Sequence, residues 1–281
     1  MKKTLFIILF FVLSYNGTLV YVNGNIFKKD RTDVYNDCSK VWSSRGLYTT
    51  YKEQNTITSI QKALDNGFKG VEVDFYYDIK SNSFIVSHNK PQKDSEGILH
   101  YVMKNGKLLT LEELFLSTSK EHYFWLDYKN LDRLSDEETK SAIEHLDDIT
   151  KEGDLRERLY IEGSTPNTLE KYTNAGYKTL FAFQPLKADS IFSSISSNIY
   201  KIAYYFYNIT AIAMPYGSVN NPKYSVQTQE NLKGIPTFLF HVPDDEELLE
   251  KLISYEDVRV MLIGRDKSVN RAYITNCSKE K

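Results

Sequence analysis

The feature that most constrains the fold is an alternation of short apolar runs with amphipathic segments between residues 40 and 264. The apolar runs are rich in β-branched and aromatic residues, as strands are, and the intervening segments place apolar residues at helical spacing. Strands that alternate with helices form parallel sheets, because each helix carries the chain back to the start of the next strand. Eight such units in roughly 240 residues predict a closed (β/α)8 TIM barrel. An open doubly wound sheet is the alternative, but no glycine-rich phosphate-binding turn follows the first strand.

The predicted elements alternate strictly along the chain. We expect strands over residues 40–46, 70–77, 123–129, 158–162, 178–183, 210–215, 235–241 and 258–264. We expect helices over residues 56–66, 111–116, 136–150, 165–175, 190–205, 227–232 and 244–254. No long linker or internal repeat interrupts this order, so residues 40–281 are expected to form one domain.

The second predicted strand, residues 70–77, carries two carboxylates on one face. Apolar residues alternate with Glu72 and Asp74, and side chains two apart on a strand point the same way. Two inward carboxylates are costly unless a cation compensates them. A further apolar run, residues 84–86, predicts a β-hairpin inserted after this strand, which returns His88 toward the two acids. The alternative is an edge hairpin whose acidic face is solvated.

Polar side chains also stand at the carboxyl ends of the first and third strands. The first strand ends near Ser44 and Arg45, and the third ends near Asp127 and Lys129. The carboxyl ends of barrel strands meet at one mouth, where active sites lie, so we expect all these groups to converge there. An interior ion pair is the alternative for Asp127 and Lys129, and a surface turn is the alternative for Arg45.

The expected group combines three kinds of chemistry. Its carboxylates offer hard oxygen ligands for Mg²⁺ or Ca²⁺. Its two cations, Arg45 and Lys129, can hold an anion such as phosphate, and His88 can transfer a proton. The remaining histidines have no carboxylate pattern around them in the sequence and are interpreted as structural: His100, His122, His145 and His241.

Composition and the N-terminus bear on partners and location. The chain has 281 residues and a formal net charge of -2, which argues against a nucleic-acid partner. A charged start followed by an apolar run at residues 4–13 is typical of a secretory signal, so residues 1–24 are interpreted as a signal peptide. An uncleaved anchor that associates with a membrane is the alternative. Either predicts export to a periplasmic or extracellular location, with residues 25–39 as a linker, and there Cys38 and Cys277 are expected to form a disulfide.

The order of the strand-end residues resembles the glycerophosphodiester phosphodiesterase family. The family pattern is His-Arg-Gly, then Glu-Asn-Thr, then Glu-x-Asp, a hairpin with His-Asp, and later Glu-x-Lys. Matching residues occur in this order between about residues 44 and 129: Arg45-Gly46, Asn55-Thr56, Glu72-x-Asp74, His88 and Asp127-x-Lys129. The chain departs from the pattern at Ser44, Gln54, Asn89 and Asp127, which replace His, Glu, Asp and Glu.

This resemblance implies an exported divalent-metal phosphodiesterase that acts on glycerophosphodiesters or lysophospholipid headgroups, and we expect it to be a monomer. The metal would bind to Glu72, Asp74 and Asp127. Family members use two histidines as acid and base, so Ser44 in place of the first predicts a weak enzyme with His88 as general acid. Two alternatives remain. One is a catalytically inactive barrel that binds phosphorylated headgroups or a protein partner, and the other is a glycosidase that uses paired carboxylates.

Overall fold

Eight parallel strands close into a barrel, as the sequence predicts. The computed structural model describes residues 2–103, 106–118, 121–151, 154–186, 190 and 192–264. Each strand pairs with the next in the chain, and the last pairs with the first, with Val41 opposite Met261. The strands are β1 Val41–Ser44, β2 Gly70–Asp78, β3 Tyr123–Tyr128, β4 Leu159–Gly163, β5 Lys178–Ala182, β6 Ala211–Pro215, β7 Thr237–Phe240 and β8 Val258–Gly264.

Helices connect the strands and cover the outside of the barrel. Of the α-helices in the described residues, the first precedes the barrel and the other seven lie between successive strands. They are α1 Lys2–Asn25, α2 Ile57–Asp65, α3 Leu111–Ser117, α4 Asp136–Ile149, α5 Pro166–Asn174, α6 Ser193–Phe206, α7 Val226–Leu232 and α8 Glu246–Ile253. Thr56 and Thr110 cap α2 and α3, because each side chain accepts a hydrogen bond from a backbone N–H of the first helical turn. Within the part of the chain described here, no helix is both long and apolar enough to cross a membrane.

A β-hairpin extends from the barrel after β2, also as predicted. The outer half of β2 pairs in antiparallel register with a short hairpin strand, Ser83–Val86, so that Phe75 lies opposite Val86. Asn82 allows the tight turn because it adopts a left-handed backbone, with φ of 48°. The hairpin brings the chain back over the mouth of the barrel.

Large aromatic side chains fill the interior of the barrel below its mouth. Trp42, Trp125, Tyr160 and Phe238 belong to one buried cluster and have almost no exposed surface. Gly70 makes room for them, because a Cβ at this position would lie 2.4 Å from the ring of Trp42. The interior is therefore a packed core, and any ligand site has to lie above this layer.

Residues 25–39 pack against the barrel along much of their length. Tyr35 is buried, and its ring contacts Trp42 with the centroids 5.0 Å apart. The Tyr35 backbone N–H donates a hydrogen bond to the hydroxyl of Tyr160 at 2.7 Å. The ammonium group of Lys29 donates to three carbonyls at the end of α6, those of Tyr204, Tyr207 and Ile209. This segment, which the sequence indicates to be a linker, thus contributes to the barrel core.

Candidate active site

Asp74 lies at the centre of the site, fully buried on β2. Its Oδ2 is 2.9 Å from Nε of Arg45, and its Oδ1 is 2.5 Å from Nζ of Lys129. The side-chain amide of Asn55 donates to Oδ2 at 2.7 Å, and the Asp74 backbone N–H donates to Oδ1 of Asn55 at 3.2 Å. Burial alone would raise the pKa of Asp74, but the charges of Lys129 and Arg45 outweigh it and hold this pKa below its usual range. Asp74 is therefore ionised at neutral pH.

Glu72 is buried on the same face of β2 as Asp74, but its protonation state differs from that of Asp74. Its Oε2 accepts a hydrogen bond from the Ser44 hydroxyl at 2.8 Å and lies 3.9 Å from Nε of Arg45. Burial and the negative charge of Asp74 raise the pKa of Glu72 to about 8. Glu72 is therefore mostly protonated at neutral pH unless a further cation balances its charge.

Asp127 and Lys129 complete the group from the end of β3. Asp127 lies opposite Asp74 in the sheet register and accepts a hydrogen bond from Lys129. Burial raises the pKa of Asp127, and the neighbouring Asp74 adds to this, although Lys129 opposes both. Burial lowers the pKa of Lys129, but the surrounding carboxylates outweigh it and raise this pKa above its usual value. Asp127 and Lys129 do form the ion pair that was the alternative prediction. Asp127 also belongs to the carboxylate cluster with Glu72 and Asp74.

The donor set of this cluster fits a divalent cation. One oxygen from each of Glu72, Asp74 and Asp127 lies within 4.8 Å of the other two. Burial and the neighbouring carboxylates raise the pKa values of two of these groups, Glu72 and Asp127, although Arg45 and Lys129 oppose the rise. Hard carboxylate oxygens around such a centre are the ligands that Mg²⁺ and Ca²⁺ prefer.

The turn after β1 brings Arg45 over the carboxylates. Arg45 has a left-handed backbone, with φ of 63°, and its N–H donates to the carbonyl of Glu72 at 3.0 Å. Gly46 follows with φ of 82°, and a Cβ there would lie 2.5 Å from the carbonyl carbon of Ser59. Asn55 also has a left-handed φ of 54°, and its N–H donates to the carbonyl of Arg45 at 3.0 Å. These hydrogen bonds hold the guanidinium of Arg45 and the side-chain amide of Asn55 against the carboxylate of Asp74.

His88 reaches the rim of the site from the hairpin. The N–H of Ser87 donates to the carbonyl of Asp74 at 3.0 Å, which fixes the start of this loop. The His88 side chain is exposed, and it lines an open cavity of about 610 Å³ together with Arg45. Its charge also contributes to lowering the pKa of Asp74, after the larger effects of Lys129 and Arg45. The structure therefore brings together every residue that the sequence assigned to the site: Ser44, Arg45, Glu72, Asp74, His88, Asp127 and Lys129.

Two further titratable groups near the mouth were not predicted. Glu162 lies beside Asp127 in the sheet register and accepts a hydrogen bond from Nε1 of Trp125 at 2.6 Å. Burial, followed by the charge of Asp127, raises the pKa of Glu162 well above its usual range. Because Glu162 precedes the last residue of β4, examining the end of every predicted strand would have found it.

His241 follows the end of β7 in a left-handed conformation, with φ of 52°. Burial lowers its pKa, and the charges of Arg45, Lys223 and Lys129 lower it further. The interpretation of His241 as a structural histidine stays a prediction. His100 also has a carboxylate partner that its sequence context did not indicate, since its Nε2 lies 2.7 Å from Oδ2 of Asp94.

Similarity to known proteins is found in structure and not in sequence. No protein-family profile and no curated protein sequence matches the chain. A glycerophosphodiester phosphodiesterase from Thermotoga maritima is 20% identical with a TM-score of 0.56, and the match covers 80% of this chain and 93% of that one. A glycerophosphodiester phosphodiesterase from Parabacteroides distasonis is 17% identical with a TM-score of 0.56, covering 82% of this chain and 94% of the other. The chain thus has the barrel fold of glycerophosphodiester phosphodiesterases, the family that its strand-end residues resemble.

Proposed function

We propose that this chain is a divalent-metal-dependent phosphodiesterase that hydrolyses glycerophosphodiesters or related phospholipid headgroup esters. The observation that carries the proposal is the cluster of Glu72, Asp74 and Asp127 beside two cations and His88 at the barrel mouth. Carboxylates that hold a metal, next to cations that hold an anion, suit a substrate whose reacting group is a phosphodiester. The barrel fold shared with glycerophosphodiester phosphodiesterases supports the same reaction class.

Each group of side chains has a separate role in such a reaction. Glu72, Asp74 and Asp127 would hold Mg²⁺ or Ca²⁺, which supplies positive charge to the phosphoryl oxygens when bound. Arg45 and Lys129 orient the phosphodiester, since each is already fixed against Asp74. His88, exposed in the adjoining cavity, donates a proton to the leaving alcohol.

A second candidate function is binding without turnover, and Ser44 favours it. Ser44 stands where the family pattern has its first histidine, and its hydroxyl donates to Glu72 at 2.8 Å. A serine hydroxyl engaged in this way does not act as a base near neutral pH without help. The resulting expectation is either a weak enzyme or an inactive barrel that binds phosphorylated headgroups.

Hydrolysis and binding without turnover can be distinguished by comparing three proteins: the wild type, His88→Ala and Ser44→His. Hydrolysis of glycerophosphocholine is measured with Ca²⁺ or Mg²⁺, and metal binding is measured separately by calorimetry. We expect weak wild-type turnover that requires metal, a loss on the order of 10²–10⁴ in rate for His88→Ala, and a gain for Ser44→His. If all three bind the metal and none exceeds the uncatalysed rate, binding without turnover is the remaining function.

We also propose that the protein is exported, to a periplasmic or extracellular location. The support is the charged start of the chain followed by the apolar run at residues 4–13, whose Phe6 and Phe11 side chains are 70% and 66% exposed. Cells that express the chain with a C-terminal tag are fractionated, and the N-terminus of the tagged protein is sequenced. Tagged protein found only in the cytosol with Met1 or Lys2 at its N-terminus would contradict export.

A further inference from the structure

The last turn of α1 belongs to the folded domain. Val22 is fully buried in the main hydrophobic core, together with Ile26, which directly follows the helix. Asn23 accepts a hydrogen bond at 3.0 Å from the ammonium group of Lys201, a buried residue of α6. Cleavage at the end of the predicted signal segment would remove Val22 and Asn23, and with them these contacts. The packing therefore favours a helix that stays on the chain.

The first half of α1 is apolar and exposed. Single exposed apolar residues are common, but here they follow one another along the helix, as at Phe10, Phe11 and Leu13. As a helix, the apolar run at residues 4–13 is about 15 Å long, roughly half the thickness of the hydrocarbon core of a bilayer. A segment of this length is suited to enter one leaflet.

A second exposed apolar surface lies next to α1, on α6. Ile195, Ile199 and Phe206 recur at helical spacing, so they share one face of α6, and all three are exposed. The ring of Tyr21 on α1 stacks on that of Phe206, with the centroids 6.4 Å apart. The apolar surfaces of α1 and α6 are therefore continuous, and contiguous exposed patches of this kind mark interaction sites.

The charges of both segments suit an anionic surface. Residues 1–28 contain no acidic residue and three lysines, Lys2, Lys3 and Lys28. The α6 sequence likewise contains a lysine and no acidic residue, although the whole chain has a formal net charge of -2. Basic residues beside apolar side chains attract anionic lipid headgroups while the apolar groups enter the bilayer.

We propose that α1 stays on the mature protein and, together with the exposed face of α6, binds the surface of an anionic lipid bilayer. The bilayer would then hold the barrel by its outer wall. Neither helix contributes a residue to the carboxylate cluster, so this surface is independent of the proposed phosphodiesterase activity.

The first test measures binding of the full chain to vesicles by sedimentation. The vesicles contain phosphatidylcholine and phosphatidylglycerol, and vesicles of phosphatidylcholine alone should bind more weakly. Two double variants, Phe10→Glu with Phe11→Glu and Ile195→Glu with Ile199→Glu, should each weaken binding at least about tenfold, because they withdraw apolar side chains from lipid. Leu116→Glu is the matched control, since it makes the same kind of change at a side chain on α3 that is 79% exposed. It should bind as the wild type does.

The second test concerns retention of α1. Intact mass of the protein from the membrane fraction of expressing cells should correspond to a chain that begins at Met1. Val22→Asp places a charge in the core and should lower the Tm of that protein by at least about 4 °C. Val20→Asp is the control and should leave the Tm unchanged, because Val20 is 73% exposed on the same helix.

Three results would overturn the proposal. One is a mature chain that begins near Asn25, or a Tm that Val22→Asp does not change. Another is vesicle binding that is absent, or that is equal in the wild type and in both double variants. The third is a dimer of the chain in the absence of lipid that the α6 double variant dissociates, since a second copy would then cover this surface.

Discussion

Metal binding at the carboxylate cluster is expected to release a proton from Glu72. This residue is buried beside Asp74, and its pKa is raised to about 8 from its usual value near 4.5. A divalent cation binds ionised carboxylates, so it has to displace the proton that Glu72 holds at neutral pH. Metal affinity should therefore increase with pH until Glu72 is ionised.

The size of this pH dependence follows from the raised pKa of Glu72. At pH 7 about ten Glu72 carboxyls are protonated for each one that is ionised. The apparent dissociation constant for Ca²⁺ should then fall about ninefold between pH 6 and pH 7 and about fivefold between pH 7 and pH 8, or about 50-fold in all. A raised carboxyl pKa also means that Glu72 stabilises the metal-free fold below pH 4.5 and that this contribution is lost as the pH rises to about 8.

The assay is isothermal titration of Ca²⁺ at pH 6, 7 and 8. Comparing two buffers with different ionisation enthalpies at pH 7 counts the protons released, and we expect about one from Glu72, with any contribution from Asp127 adding to it. Glu72→Gln should abolish metal binding without unfolding the protein, and it should remove the Glu72 contribution to the pH dependence of thermal stability. Glu112→Gln, an exposed carboxyl on α3, is the control and should behave as the wild type.

Two results would refute this reasoning. Equal Ca²⁺ affinity at pH 6 and pH 8, with no proton release, would mean that Glu72 is already ionised before the metal binds. The same affinity in the wild type and Glu72→Gln would exclude Glu72 as a ligand.

Three further perturbations test other parts of the structure. Asn55→Ala removes both hydrogen bonds to the buried aspartate and places alanine at a left-handed φ, so chemical denaturation should show a loss of about 2–4 kcal/mol. Gly70→Ala puts a methyl group against the ring of Trp42 and should cost about 1–3 kcal/mol in the same assay, with little change in metal affinity. Cys277 lies outside the described residues, so its disulfide with Cys38 stays a prediction. Mass spectrometry of the exported protein after thiol alkylation should find neither cysteine modified, and alkylation of both would contradict the pairing.

Much of the fold could be predicted because its signals are local. Alternation with a period of two marks strands such as β2, and helical spacing marks the segments between them. Once the barrel is assumed, the carboxyl ends of all strands meet at one mouth, so Glu72, Asp74 and Asp127 could be grouped without knowing any distance. The hairpin that carries His88 followed from the same local pattern.

Other features depended on contacts between residues far apart in the chain. Tyr35 lies in a polar segment whose composition indicates a linker, yet it packs on Trp42 because the closed barrel leaves an apolar end to cover. Asn55 supports Asp74 only because its backbone adopts a left-handed conformation, which periodicity does not report.

The charge state of the site was decided by the tertiary structure as well. The sequence determined that three carboxylates, two cations and a histidine would meet at the mouth of a barrel. It did not determine that Lys129 and Arg45 would both contact Asp74, or that burial and the charge of Asp74 would raise the pKa of Glu72. The physical reason is that a pKa depends on burial and on charges a few ångströms away, and both arise only when the strands close into a barrel.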